Sequence, residues 1–271
     1  MINIVTAFPG EARPLIDSLG LTDRDTRGPC THYRNSKCRL VISGAGKTRV
    51  AAATAWLQET GPASRTTAWL NIGLAGHANR PVGEGVLAHR ITDHGTGQRW
   101  YPPQVHGLRL STDNLVTVDR PETGYPEAAL YDMEAAGFYP VACRTTTAEL
   151  VQCYKVVSDN RDNPVADVTP KQGEALIAGR LADITGLIAA LEVLSEALNT
   201  RAIPDADLGM FRDRWHFTVS QQHQLGKLLA RWGALLPGQP VWCDELQAQQ
   251  QAGQVLNWLE QHINAVPVRL G

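Results

Sequence analysis

The sequence predicts an α/β fold: a three-layer α/β/α arrangement with a central mixed, twisted sheet, followed by a helical C-terminal extension. Three observations predict it. Short apolar runs rich in β-branched residues recur between Ile2 and Val157, and helical patterns separate several of them. Two of the runs, Ile2–Phe8 and Leu150–Val157, are apolar almost throughout, which marks strands covered on both faces.

In chain order, the expected strands are Ile2–Phe8, Arg39–Ile42, Ala68–Ile72, Gly85–His89, Leu115–Val118, Ala128–Met133 and Leu150–Val157. Apolar periodicity places helices at Gly10–Leu19, Lys47–Glu59, Glu134–Thr146 and Lys171–Leu198. Beyond the last of these, Asn199, Thr200 and Pro204 break the pattern, and a glutamine-rich, tryptophan-bearing region begins. The boundary divides the chain into a domain of residues 1–198 and an extension of 199–271. Within the extension, helices are expected at Ser220–Leu235 and Asp244–Ala265. Their apolar residues Leu225, Leu228, Leu229, Trp232 and Leu235, then Val255, Leu256, Leu259 and Ile263, are expected to bury against each other or the main domain. A partner-binding module or a lid over a bound substrate is the alternative use.

The chain of 271 residues is long enough for one α/β domain of common size with an appended segment. Its 25 lysines and arginines nearly balance 27 acidic residues, so charge offers no basis for wrapping nucleic acid or coating an anionic membrane. Five scattered cysteines without a CxxC pair suit a reducing, cytoplasmic compartment. The opening apolar run meets Pro9, Gly10 and Glu11 too soon for a leader or membrane span, and reads as a first buried strand.

Gly44-Ala-Gly-Lys47-Thr48 follows a strand and precedes a helix, yet a nucleotide P-loop would need glycine where Val41 stands. What remains is a turn whose backbone either approaches a ligand or is simply tight. Asn71-Ile-Gly-Leu-Ala-Gly76 ends an apolar strand in small residues, at the strand end where open α/β sheets hold ligands; packing would account for them equally. Glu11, Glu134 and Asp159 each stand just past an apparently central strand. Such carboxylates gather around one cleft as acid, base and hydroxyl ligand, or else serve separately as helix N-terminal acids. Eight histidines show no HExxH spacing, so no metal site is expected, and Ser43 and Ser158 lack the GxSxG elbow. Trp100-Tyr-Pro-Pro103 reads as a stiff loop that either lines a pocket or seals a subunit contact.

Six segments, in order along residues 1–195, resemble the nucleoside phosphorylase superfamily and most closely its methylthioadenosine/S-adenosylhomocysteine nucleosidase branch. They are Val5-Thr-Ala-Phe-Pro-Gly-Glu11-Ala, Val41-Ile-Ser-Gly-Ala-Gly-Lys47, Asn71-Ile-Gly-Leu-Ala-Gly76, Pro81-Val-Gly-Glu-Gly-Val86, Tyr131-Asp-Met-Glu134-Ala-Ala and Lys155-Val-Val-Ser-Asp159. The resemblance implies that Asp159 shares or gives a proton to purine N7 while Ser158 helps hold the base. It implies that Glu134 binds the ribose hydroxyls, Met133 packs beneath the sugar, and Glu11 deprotonates the attacking water. Ala75, Gly76, Lys155 and Gly44 complete the expected substrate-binding set, and Tyr125 is the candidate for an aromatic wall against the base.

By the same resemblance the ligand is a purine nucleoside with a 5′ substituent, no metal or cofactor is needed, and the enzyme is a homodimer. Water is favoured as acceptor because phosphorylases of this layout carry arginine where Asn71 stands. A phosphorylase using Arg13 or Arg49 is the first alternative. A non-catalytic nucleoside-binding protein is the second, permitted by Leu74 in place of the branch's serine or threonine and Lys155 in place of an arginine; with these, Asp132 for a glutamate and His77 for a glycine bear on the exact substrate.

Overall fold

The computed structural model describes residues 1–61, 64–199, 205–236 and 238–266. Its strands are β1 (Ile2–Thr6), β2 (Asp23–Asp25), β3 (Thr31–Arg34), β4 (Cys38–Ile42), β5 (Ala68–His77), β6 (Gly85–Asp93), β7 (Arg99–Trp100), β8 (Thr112–Thr117), β9 (Leu130–Asp132) and β10 (Val151–Asp159). Its helices are α1 (Pro9–Leu19), α2 (Lys47–Glu59), α3 (Ala135–Ala142), α4 (Pro170–Ala178), α5 (Leu181–Asn199), α6 (Asp205–Arg214), α7 (Val219–Leu235), α8 (Asp244–Gln247) and α9 (Ala252–Ala265). All seven expected strands are present in a mixed sheet with helices packed on it.

Every residue of β1 and β10 is buried, which accounts for their unbroken apolar character. β1 lies parallel between β4 and β5, and β5 lies parallel to β10 along its other edge. From β10 the pairing runs through β6, β8 and β9 and returns to β5, so five strands close on themselves. On the β1 side, β5 pairs with β1 as far as Asn71 and with β9 only from Gly76. The backbone between them has no strand partner on that edge, and this gap is where the site forms. Asn71 ties the fork together, its Nδ2 donating to the Val5 carbonyl at 3.1 Å.

The main apolar core lies between this sheet and helices α2 and α3, with Val5, Val41, Trp69, Leu115, Phe138 and Val157 among its buried members. Gly137 lets the α3 backbone sit directly on Lys47 at the start of α2, where a Cβ would collide with the Lys47 carbonyl.

Several elements differ from the sequence expectation for identifiable reasons. The hairpin β2–β3 and the two-residue β7 carry too many polar residues to show strand periodicity. The expected helix over 171–198 is two helices, because the chain turns at Gly179 and Arg180, where Arg180 Nε donates to the Gly83 carbonyl at 2.6 Å. The expected helix over 244–265 divides in the same way, with Gln251 and Gln254 capping the new start at α9.

The chain falls into two compact units, Met1–Ser195 and Glu196–Gly271. The second has its own core, in which Phe211, Leu225, Leu229 and Trp232 meet Val255, Leu259 and Ile263. Leu235, expected in this core, is instead largely exposed at the end of α7. Among the described residues no helix is long and apolar enough to cross a membrane.

Candidate active site

Glu11 enters the gap beside β5 because Pro9 and Gly10 start α1 immediately after β1 and leave Glu11 in the first turn. Its carboxylate reaches back to the chain entering the helix, where Oε2 accepts the N–H groups of Ala7 at 2.9 Å and Phe8 at 3.0 Å. Oε1 accepts the N–H of Leu74 at 3.0 Å, one of the β5 groups that no strand reaches. A backbone donor that would otherwise be orphaned thus fixes the acid in place. Gly73 makes room, since a Cβ there would lie 3.0 Å from Glu11 Oε1.

Asp159 ends β10 at an irregularity: Val157 pairs with Ala75, but Asp159 pairs with Gly76. The extra residue disrupts the ladder locally and presents both Ser158 and Asp159 to the cavity. Ser158 Oγ donates to Asp159 Oδ1 at 2.5 Å, and the Tyr125 hydroxyl donates to Asp159 Oδ2 at 2.5 Å. Glu134 precedes α3, but the helix N-terminus is served by Asp132, whose Oδ2 accepts the Ala135 N–H at 2.8 Å. Glu134 is thereby released from capping. Its Oε1 accepts from Gly46 N–H at 2.9 Å and its Oε2 from Met133 N–H at 3.2 Å.

These three carboxylates line one cavity of about 580 Å³. They are 4%, 7% and 3% exposed for Glu11, Glu134 and Asp159, so the cavity holds them almost out of water. Met133, Ser158, Ala75 and Gly76 share its wall; Lys155 and Gly44 do not. Lys155 lies sealed beneath the floor, Nζ 2.9 Å from Asp132 Oδ2. Gly44 takes φ +78° with the Arg49 side chain packed against it, a turn conformation that glycine adopts without strain. Arg13 and Arg49 also stand outside the lining, and among the described residues that form the wall there is no lysine, arginine or histidine.

Burial pushes the Glu11 carboxyl above its ordinary range, against the pull of Lys155 and three backbone donors. Burial likewise raises Glu134 to about 7, with Lys155 opposing and Asp132 adding to the rise. On Lys155, burial acts against the charge, yet Asp132 and Glu134 outweigh it and hold the ammonium above its usual value. The floor therefore holds a buried ion pair, Lys155 with Asp132, under two acids of raised proton affinity.

Two stretches of the wall carry no periodicity or motif that would have marked them. Pro121 and Glu122 stand in the loop after β8, and Val165 and Val168 lead into α4. Tyr125 does not line the cavity. Its ring lies behind the wall, and only its hydroxyl reaches Asp159. His77 turns away as well, its Nδ1 accepting the N–H groups of Asn79 and Arg80 at 3.0 Å each. Among the described residues no group of three or more histidine, cysteine, aspartate or glutamate side chains is arranged to hold a metal ion.

No protein-family model matches the chain, and no curated protein matches its sequence. Solved structures do match in three dimensions. The 5′-methylthioadenosine/S-adenosylhomocysteine nucleosidase of Neisseria meningitidis, in complex with methylthio-immucillin-A, superposes with a TM-score of 0.57 at 20% identity, over 68% of this chain and 98% of that one. The chain thus shares its fold with that nucleosidase. Within that fold, a mutant of the Helicobacter pylori nucleosidase with 5′-methylthioadenosine in its active site matches with a TM-score of 0.59 at 13% identity, over 69% of this chain and 97% of that one. The futalosine hydrolase of Helicobacter pylori strain 26695 matches with a TM-score of 0.58 at 14% identity, over the same shares.

Proposed function

We propose that the protein is a purine nucleosidase that hydrolyses the N-glycosidic bond of a 5′-substituted adenosine. The observation that carries this reading is the meeting of Glu11, Glu134 and Asp159 in one cavity whose described wall contains no cationic side chain. A phosphate acceptor would enter such an acidic site against repulsion, whereas water enters freely. The structural neighbours add support, being 5′-methylthioadenosine/S-adenosylhomocysteine nucleosidases and a futalosine hydrolase.

In this reading Asp159 shares a proton with purine N7, so that the glycosidic electron pair leaves with a neutral base. Glu134 accepts hydrogen bonds from the ribose hydroxyls, and Met133 packs under the sugar. The carboxylates stabilise the cationic sugar that develops as the bond breaks. Glu11 Oε1, with one lone pair taken by Leu74 N–H, keeps another for a water molecule. Water's oxygen bonds to the anomeric carbon and its proton passes to Glu11, whose raised proton affinity suits a base. General acid–base help of this kind typically contributes about a hundred- to ten-thousand-fold in rate.

Phe8, Leu74, Val165 and Val168 give the cavity an apolar stretch suited to an uncharged 5′ substituent. On the same reading catalysis belongs to residues 1–198, with 199–271 as an extension, in a cytoplasmic homodimer that needs no metal or cofactor. Incubation with adenosine-type nucleosides, with and without inorganic phosphate, tests it by chromatography. Free base and free sugar in both conditions support hydrolysis; sugar 1-phosphate formed only with phosphate would transfer the assignment to a phosphorylase.

A further inference from the structure

Tyr125 stands in the loop between β8 and β9, and among the described residues it is the only non-glycine residue with positive φ, at 44°. Such a backbone is uncommon for a bulky side chain and is held by surrounding contacts. The Tyr125 carbonyl accepts from Arg161 Nη2 at 3.2 Å. Its ring meets Tyr131 edge-on, with centroids 6.0 Å apart, and packs against Gly76, where a Cβ would come within 2.9 Å of it. The residue is 2% exposed, so its hydroxyl has exchanged water for one partner, Asp159 Oδ2.

The consequence for Asp159 is geometric. With Ser158 on Oδ1 and Tyr125 on Oδ2, each oxygen is held by one hydroxyl and keeps a lone pair for a third group. The carboxylate is locked in one orientation toward the cavity.

We infer that Tyr125 is a positioning residue for the leaving-group acid: its hydroxyl holds Asp159 so that the carboxyl meets the departing base. This rests on the nucleosidase reading above. The tyrosine keeps its own proton throughout; burial and the neighbouring Asp159 raise its pKa above the ordinary range. Only the proton shared between Asp159 and the base moves.

Two classes of substrate differ in their need for this acid. A purine leaves well only when it is protonated, whereas 4-nitrophenolate is a stable anion that leaves without a proton. Tyr125→Phe keeps the ring against Gly76 and Tyr131 and removes only the donor. Its kcat and KM are to be compared with the wild type's on an adenosine-type nucleoside and on 4-nitrophenyl riboside. The expected result is a fall of about tenfold or more in kcat on the nucleoside, with KM nearly unchanged and nitrophenyl riboside turnover retained. Equal losses on both substrates would reduce Tyr125 to a packing residue, and no loss on either would remove it from the mechanism. Wild-type protein that releases base from no nucleoside overturns the nucleosidase reading itself and the inference with it.

Discussion

Lys155 Nζ and Asp132 Oδ2 lie 2.9 Å apart beneath the cavity, with neither side chain more than 1% exposed. Thr117 Oγ1 completes the arrangement by donating to Asp132 Oδ1 at 2.7 Å. An ion pair so fully removed from water depends on each partner, because loss of one leaves the other charged and unpaired.

Lys155→Met should accordingly destabilise the folded state by about 3–5 kcal/mol, as read by urea unfolding. Lys155→Arg keeps the charge and should lose less. Equal stability of the methionine variant and the wild type would show that the pair is not what holds the floor.

Asp159→Asn should remove most base release, by about a hundredfold or more, while leaving thermal unfolding nearly unchanged. Glu11→Gln should still bind a nucleoside in calorimetry but turn it over slowly. Near-normal rates in either variant would exclude that residue from the chemistry.

The raised proton affinity of Glu134 has a sign that titration can check. The folded carboxyl holds its proton up to about 7, whereas the unfolded chain releases it near the ordinary 4.5. The stability it contributes is full below the lower value and is lost as pH rises through the upper one; Glu11 acts in the same direction. The thermal midpoint should therefore fall between about pH 5 and pH 8, and Glu134→Gln should flatten part of that fall. A midpoint that climbs steadily over the range in the wild type would contradict the burial argument.

Gly76→Ala should damage activity more than folding. A Cβ there would collide with Asp159 Oδ2 and crowd the Tyr125 ring, so the cavity wall must shift at the acid itself. Overpacking of this kind commonly costs about 1–3 kcal/mol. Gly226, inside α7 with nothing near a built Cβ, provides the contrast: Gly226→Ala should raise stability by about 0.5–1 kcal/mol.

Strands buried on both faces were legible because a short run that is apolar without interruption must be covered from both sides, as β1 and β10 are. The hairpin β2–β3 was not, since its pairing is carried by backbone groups while side chains such as Asp23 and Arg34 face water. Breaks within apparent helices were equally hidden. Apolar spacing continues across Gly179 and Arg180, and the turn there depends on a carbonyl from a distant loop.

By itself the sequence determined which segments must be buried and that Glu11, Glu134 and Asp159 stand at or near the ends of three of them, whereas the strand ends themselves shifted, β5 running to His77 rather than Ile72 and β6 to Asp93 rather than His89. It could not determine that the ends meet, because that depends on β5 sharing one edge between β1 and β9 and leaving a gap. Nor did it reveal Tyr125 behind Asp159 or Asp132 freeing Glu134 from its helix. Those roles arise from hydrogen bonds between residues whose partners only the folded chain selects. Periodicity is a local property, whereas a shared cavity is a property of the closed sheet.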